Sequence, residues 1–120
     1  MGYTSNSMAK DLILDRTVSV EMFFEDTAWP SITVEGKVDT GADRCSIDET
    51  LAEHLGWKVV KEVTVKSSLG RERRPVYRGQ VEIRGVRFWM DATGADRAGL
   101  SHSILVGHLV LSDLIMLEEE

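Results

Sequence analysis

The sequence predicts an all-β domain with one or two short helices, and three features predict it. Apolar residues alternate with polar ones in short segments, as at Val18, Val20, Met22 and Phe24, which is the two-residue period of a half-buried strand. Turn formers bound these segments, among them Glu25-Asp26, Trp29-Pro30, Gly70 and Gly85. Helical spacing with both a start and a stop signal occurs between Asp48 and Gly56.

Residues 1–10 are small, polar and aperiodic and read as a flexible lead-in, which leaves 11–120 as a single domain. A strand follows over Val18 to Phe24. Ile32 to Val38 forms a second strand running straight into Asp39, so Asp39-Thr40-Gly41 falls at a strand end where glycine permits a sharp turn. Asp48 stands as an N-cap ahead of Glu49, Leu51, Ala52 and Leu55, and Gly56 is the stop. The Asp48 carboxylate can accept a backbone N–H of the first turn, while glycine tolerates the left-handed conformation that ends a helix. Val59 to Val65 and Val76 to Ile83 read as strands flanking Ser67-Ser68-Leu69-Gly70-Arg71, a hairpin tip. Gly85 separates Ile83 from a further strand through Met90. Ile104-Leu105-Val106 is apolar throughout and closes on Gly107, and Leu109 to Leu117 is a mixed apolar tail before three glutamates.

With 120 residues, 42% of them hydrophobic and 28% charged, the chain has the size and balance of one soluble domain. Its net charge of −6 argues against generic binding to nucleic acid or an anionic membrane, since both need excess positive charge. No apolar run approaches membrane-spanning length. Cys45 is the single cysteine, so no disulfide forms within the chain, and the amino terminus lacks the pattern of an export signal; a cytoplasmic location is expected. Cys45, His54, His102 and His108 fall in neither a His-Glu-x-x-His nor a Cys-x-x-Cys pattern, so no metal is expected. Cys45 with a histidine, or Ser103 with His102, would supply a nucleophile and a base, but neither has a recognisable elbow or oxyanion context.

Asp39-Thr40-Gly41-Ala42 carries a different chemistry. Peptide hydrolysis by paired carboxylates needs two aspartates close enough to share one proton: the charged one deprotonates water while the protonated one donates to the carbonyl oxygen. An Asp at a strand end suits this role, because Gly41 lets backbone approach the carboxylate and Thr40 offers a hydroxyl to lock the loop. Together with the hydrophobic-hydrophobic-glycine run ending at Gly107, this tetrapeptide makes the chain resemble the retropepsin-like aspartic proteases from about Val18 to Leu117. The likeness includes Ile47, Asp48, Leu51, Ala52, Leu55 and Gly56. Gly70-Arg71, Arg73-Arg74-Pro75-Val76, Gly85 and Asp96-Arg97 are similar to a bacterial and archaeal branch often labelled zinc protease.

The resemblance implies a retropepsin-like lobe, a small closed β-barrel that dimerises, acting as an aspartic endopeptidase on peptide or protein substrates without a cofactor. It implies Asp39 as the catalytic residue, and Thr40, Gly41, Ala42 and Gly107 as support for the active-site loop. Thr40 would hydrogen-bond its counterpart across the dimer axis. The hairpin around Ser67 to Arg74 would be a flap over the substrate, with Asp43, Ser68, Leu69, Gly70, Arg71 and Val106 as substrate contacts. Retroviral members carry an Arg after the glycine that pairs with an aspartate after the tetrapeptide; His108 and Asp43 stand at those positions, and a contact between them would replace that pair. Cys45 stands where relatives commonly have Ser or Thr.

Thr-Gly-Ala-Asp-Arg occurs at both 40–44 and 93–97. Two fused lobes do not follow, because Ala92 occupies the place of a second catalytic aspartate and too few residues separate the copies. One aspartate per chain therefore requires a homodimer, whose twofold axis sets Asp39 beside its own copy. The alternative is a non-catalytic module of the same fold that grips extended peptide segments as an added strand.

Overall fold

Alternation fixes which side chains turn inward. In β1 (Thr17–Phe23) Val18, Val20 and Met22 are buried, and β2 (Ser31–Asp39) buries Gly36 and Val38 at the end that approaches Asp39. The computed structural model describes residues 17–25, 30–108 and 110. The lead-in over 1–10, Asp26 and Trp29 of the expected turns, and the apolar tail apart from Val110 lie outside the described residues. The remaining elements are β3 (Cys45–Asp48), α1 (Glu49–Leu55), β4 (Lys58–Ser67), β5 (Gly70–Ile83), β6 (Val86–Ala95) and β7 (Ile104–Gly107).

The strands form one sheet in the order β1-β2-β7-β3-β6-β5-β4, and a further pairing joins β1 to β5. Six strands thereby close into a barrel, and β4 pairs outside it along β5. Met22, Ile47, Leu55, Ile83, Met90 and Ile104 are fully buried at its centre, each contributing about 1.5–3 kcal/mol by leaving water. This closed β-barrel agrees with the predicted all-β lobe.

Helix α1 begins and ends where the sequence predicts. The Asp48 carboxylate accepts the Leu51 N–H at 3.3 Å, and Gly56 takes φ 74° with its N–H turned back on the Ala52 and Glu53 carbonyls. Trp57 then fastens the helix to the barrel. Its indole N–H donates to the Phe23 carbonyl at 2.8 Å, and its ring lies where a side chain at Gly79 would otherwise stand. At the β5–β6 turn Arg84 and Gly85 both have positive φ, 53° and 81°, the pair of left-handed residues that matches strand twist in a two-residue hairpin.

Three elements depart from expectation. Cys45–Asp48 is a strand, parallel to β6 and antiparallel to β7. β6 runs beyond Met90 to Ala95, so the second Thr-Gly-Ala-Asp-Arg copy begins in a strand while the first forms a turn. The tip between β4 and β5 is narrower than predicted, with Ser68 and Leu69 between the paired residues Ser67 and Gly70. From Gly70 to Pro75, β5 pairs with β4 alone, giving a two-stranded ribbon that extends past the barrel.

Candidate active site

The parallel pairing of β2 with β7 sets Lys37 across from Leu105, Val38 from Val106 and Asp39 from Gly107. Both strands end here, so the chain leaves the sheet at Asp39 and must turn. The Gly41 N–H donates to Asp39 Oδ1 at 3.0 Å, and the Ala42 N–H donates to the Asp39 carbonyl at 3.3 Å. Asp39 is half-buried while Thr40 and Gly41 are exposed, which leaves the tip of the turn open at the surface.

The turn is fastened to β7 from two sides. The His108 N–H donates to the Ala42 carbonyl, and the Gly107 N–H donates to the Cys45 sulfur at 3.4 Å. A side chain at Gly107 would overlap the Arg44 carbonyl and come within 3.0 Å of the Ala42 oxygen. Glycine at 107 is therefore a steric requirement of this turn.

Cys45 is 3% exposed. Burial pushes its thiol from 9.0 up to about 11, against the opposing effect of the Gly107 N–H. Such a thiol is neutral near pH 7 and is a structural acceptor, which removes the basis for Cys45 as a nucleophile. Asp48 acts beyond its capping role. Its Oδ1 accepts the Arg97 N–H at 2.8 Å while its own N–H donates to the Ser103 carbonyl at 2.8 Å. The Arg97 side chain donates to the His102 carbonyl at 2.9 Å. The loop from 96 to 103 is thus anchored on Asp48 just before it enters β7.

Asp39, Thr40, Gly41, Ala42, Asp43 and Gly107 come together in this one turn and the strand beneath it. Val106, expected at the substrate, is instead fully buried in the barrel core; alternation along β7 points it inward, so it supports the site from behind. Ser68, Leu69, Gly70 and Arg71 belong to a separate element, the exposed tip of the ribbon. Asp43 and His108 are both exposed, and their segments are joined by the His108 N–H to Ala42 carbonyl bond. Cys45 stands at the position where the resemblance expects a hydroxyl that helps fix the loop, and the sulfur accepts the Gly107 N–H there. Its partner on β7, and the anchoring of the 96–103 loop on Asp48, went unforeseen, because each joins segments distant in sequence.

Among the described residues no group of three or more His, Cys, Asp or Glu side chains is placed to hold a metal ion. No helix among them is long and apolar enough to cross a membrane.

A barrel of this topology, with an Asp-Thr-Gly-Ala turn seated on a hydrophobic-hydrophobic-Gly strand, is a retropepsin-like lobe. A family profile described as aspartyl protease matches residues 31–106, and the chain belongs to that family. Solved structures agree on the fold. The simian foamy virus protease matches with a TM-score of 0.59 at 16% identity, over 87% of this chain and 97% of that one. The EIAV protease, solved with the inhibitor HBY-793, gives 0.56 at 16% identity over 84% and 90%. A retropepsin-like aspartic protease from Rickettsia conorii gives 0.51 at 19% identity over 80% and 69%. A search of curated proteins returns no match.

Proposed function

We propose that the protein is an aspartic endopeptidase in which two copies of the chain each contribute Asp39 to a shared carboxylate dyad. The observation that carries this reading is the pairing of Asp39 with Gly107 at the adjoining ends of β2 and β7, with the carboxylate held by the Gly41 N–H. The turn projects Thr40 and Gly41 at the surface, where a second copy related by a twofold axis can meet it. Two carboxylates in contact cannot both be ionised without severe repulsion, so the dyad holds one proton between them. The charged member takes a proton from water as it attacks the peptide carbonyl carbon. The protonated member donates to the carbonyl oxygen. The tetrahedral diol then breaks its C–N bond as the carboxyl that took water's proton passes it to the leaving nitrogen and the other carboxylate takes a hydroxyl proton back, which restores the singly protonated dyad.

In this reading Thr40 braces the turn across the axis, Gly41, Ala42 and Gly107 hold its backbone, and Asp43 borders the substrate. The β4–β5 ribbon, with Ser68, Leu69, Gly70 and Arg71 at its tip, serves as a flap. A two-stranded ribbon is only marginally stable by itself, which suits an element that opens and closes.

The test is to incubate wild type and Asp39→Asn with a diverse peptide library from acidic to neutral pH, with and without a chelator. Cleavage by wild type that is lost in the variant and indifferent to chelator is the expected result. Cleavage abolished by chelator would establish a metal-dependent hydrolase instead. Peptide binding without cleavage by either protein would establish the peptide-gripping module.

A further inference from the structure

Residues 58–78 carry seven Lys and Arg against two Glu, a net of +5 in a chain whose total is −6, which leaves −11 on the rest. This charge lies on β4 and the neighbouring part of β5. The pairing sets Lys66 opposite Arg71, Thr64 opposite Arg73 and Glu62 opposite Pro75, and residues directly opposite share a face. Lys66, Arg71, Arg73, Thr64 and Glu62 are all exposed.

Arg73 is matched by Glu62 at 3.1 Å, and on the other face Arg74 is matched by Glu72 at 2.6 Å. Lys66 and Arg71 differ: among the described residues neither has a carboxylate partner. Like charges directly opposite destabilise a strand pair, and here they do so at the tip of a ribbon held only by its own ladder. Leu69, at the apex beside them, is 92% exposed. A facing cation pair that weakens its own ribbon is relieved when an anionic group sits between the two side chains.

We infer that this face of the ribbon, centred on Lys66 and Arg71, recognises acidic peptide segments, with a carboxylate bridging the two cations and a neighbouring apolar side chain against Leu69. In the proposed enzyme this makes the ribbon a selector for substrates with Asp or Glu near the bond to be cut, and that role rests on the proposed function. The binding itself does not. A short acidic segment meets the basic tip alone, whereas a nucleic acid would extend its charge onto a body carrying −11.

Binding is tested in Asp39→Asn, which separates recognition from turnover, using labelled peptides matched in length and differing only in Glu, Gln or Lys at the same positions. The Glu peptide is expected to bind about ten-fold tighter than the Gln peptide, the scale of two exposed charge contacts, with the difference shrinking as salt rises. Adding Lys66→Glu and Arg71→Glu should reverse the order in favour of the Lys peptide. Lys66→Gln with Arg71→Gln should abolish the preference, a control that avoids new repulsion in the ribbon. Equal affinities for the three peptides, a preference unmoved by the substitutions, or no peptide binding would overturn the inference, as would tighter binding of short single-stranded DNA. Charge-dependent binding by a protein whose wild type cleaves nothing would sink the protease reading and leave the recognition surface standing.

Discussion

Gly107 and Arg44 are held so close that the backbone carbonyl of one occupies the space a side chain on the other would need. Their contact seats the Asp39 turn on β7. Gly107→Ala must push the turn away, and overpacking of this kind costs about 1–3 kcal/mol. Urea unfolding should show that loss. In the folded fraction, peptide cleavage should fall further than the stability loss explains. Val106→Ala, which leaves a cavity behind the turn, should lower stability while keeping more of the activity per folded molecule.

Cys45 should be replaceable by serine and not by valine. A Ser hydroxyl can accept the Gly107 N–H that now meets the sulfur, whereas Val would leave that buried donor unsatisfied at about 1–3 kcal/mol. The thiol also predicts a pH dependence. Its folded value of about 11 lies above its ordinary 9.0, so the contribution is complete below pH 9 and is lost as pH rises through 11. Chemical unfolding at alkaline pH should show this decline in wild type and a flatter profile in Cys45→Ser.

The Arg78–Asp91 pair predicts a change at the opposite end of the pH scale. Arg78 Nε and Nη2 donate to the two Asp91 oxygens at 2.7 and 3.0 Å, and chiefly these bonds hold the carboxyl below its ordinary 3.8. A depressed carboxyl stabilises the fold above its unfolded value and ceases to do so as pH falls through the folded one. The stability gap between wild type and Asp91→Asn should therefore be present above about pH 4 and close below it. The gap should be small, since the pair is partly exposed.

Strands with clean alternation were legible in sequence, and so was α1, because Asp48 and Gly56 perform the capping their residue types suggest. β3 was not, since four residues of mixed polarity acquire strand geometry only through β6 and β7, far along the chain. The end of β6 was hidden for a related reason. Ala92, Gly94 and Ala95 have weak strand preference, but a side chain at Gly94 would come within 2.8 Å of the Tyr77 ring, so close packing overrides local preference there. Within the candidate site, Asp39 and Gly107 were readable from spacing and motif. Cys45 was legible as the position of a loop-fixing group, but its Gly107 partner and the hold of Asp48 on the 96–103 loop were not, because each joins segments that only the closed barrel brings together.

The central claim is that one active site requires two Asp39 carboxylates. Its most direct test mixes wild type and Asp39→Asn at constant total concentration, under conditions that allow subunits to exchange, and follows peptide cleavage against the wild-type fraction. Activity should follow the square of that fraction, leaving about a quarter at an equal mixture, because only wild-type pairs hold the dyad. A linear decline would mean that each chain works alone and would contradict the account.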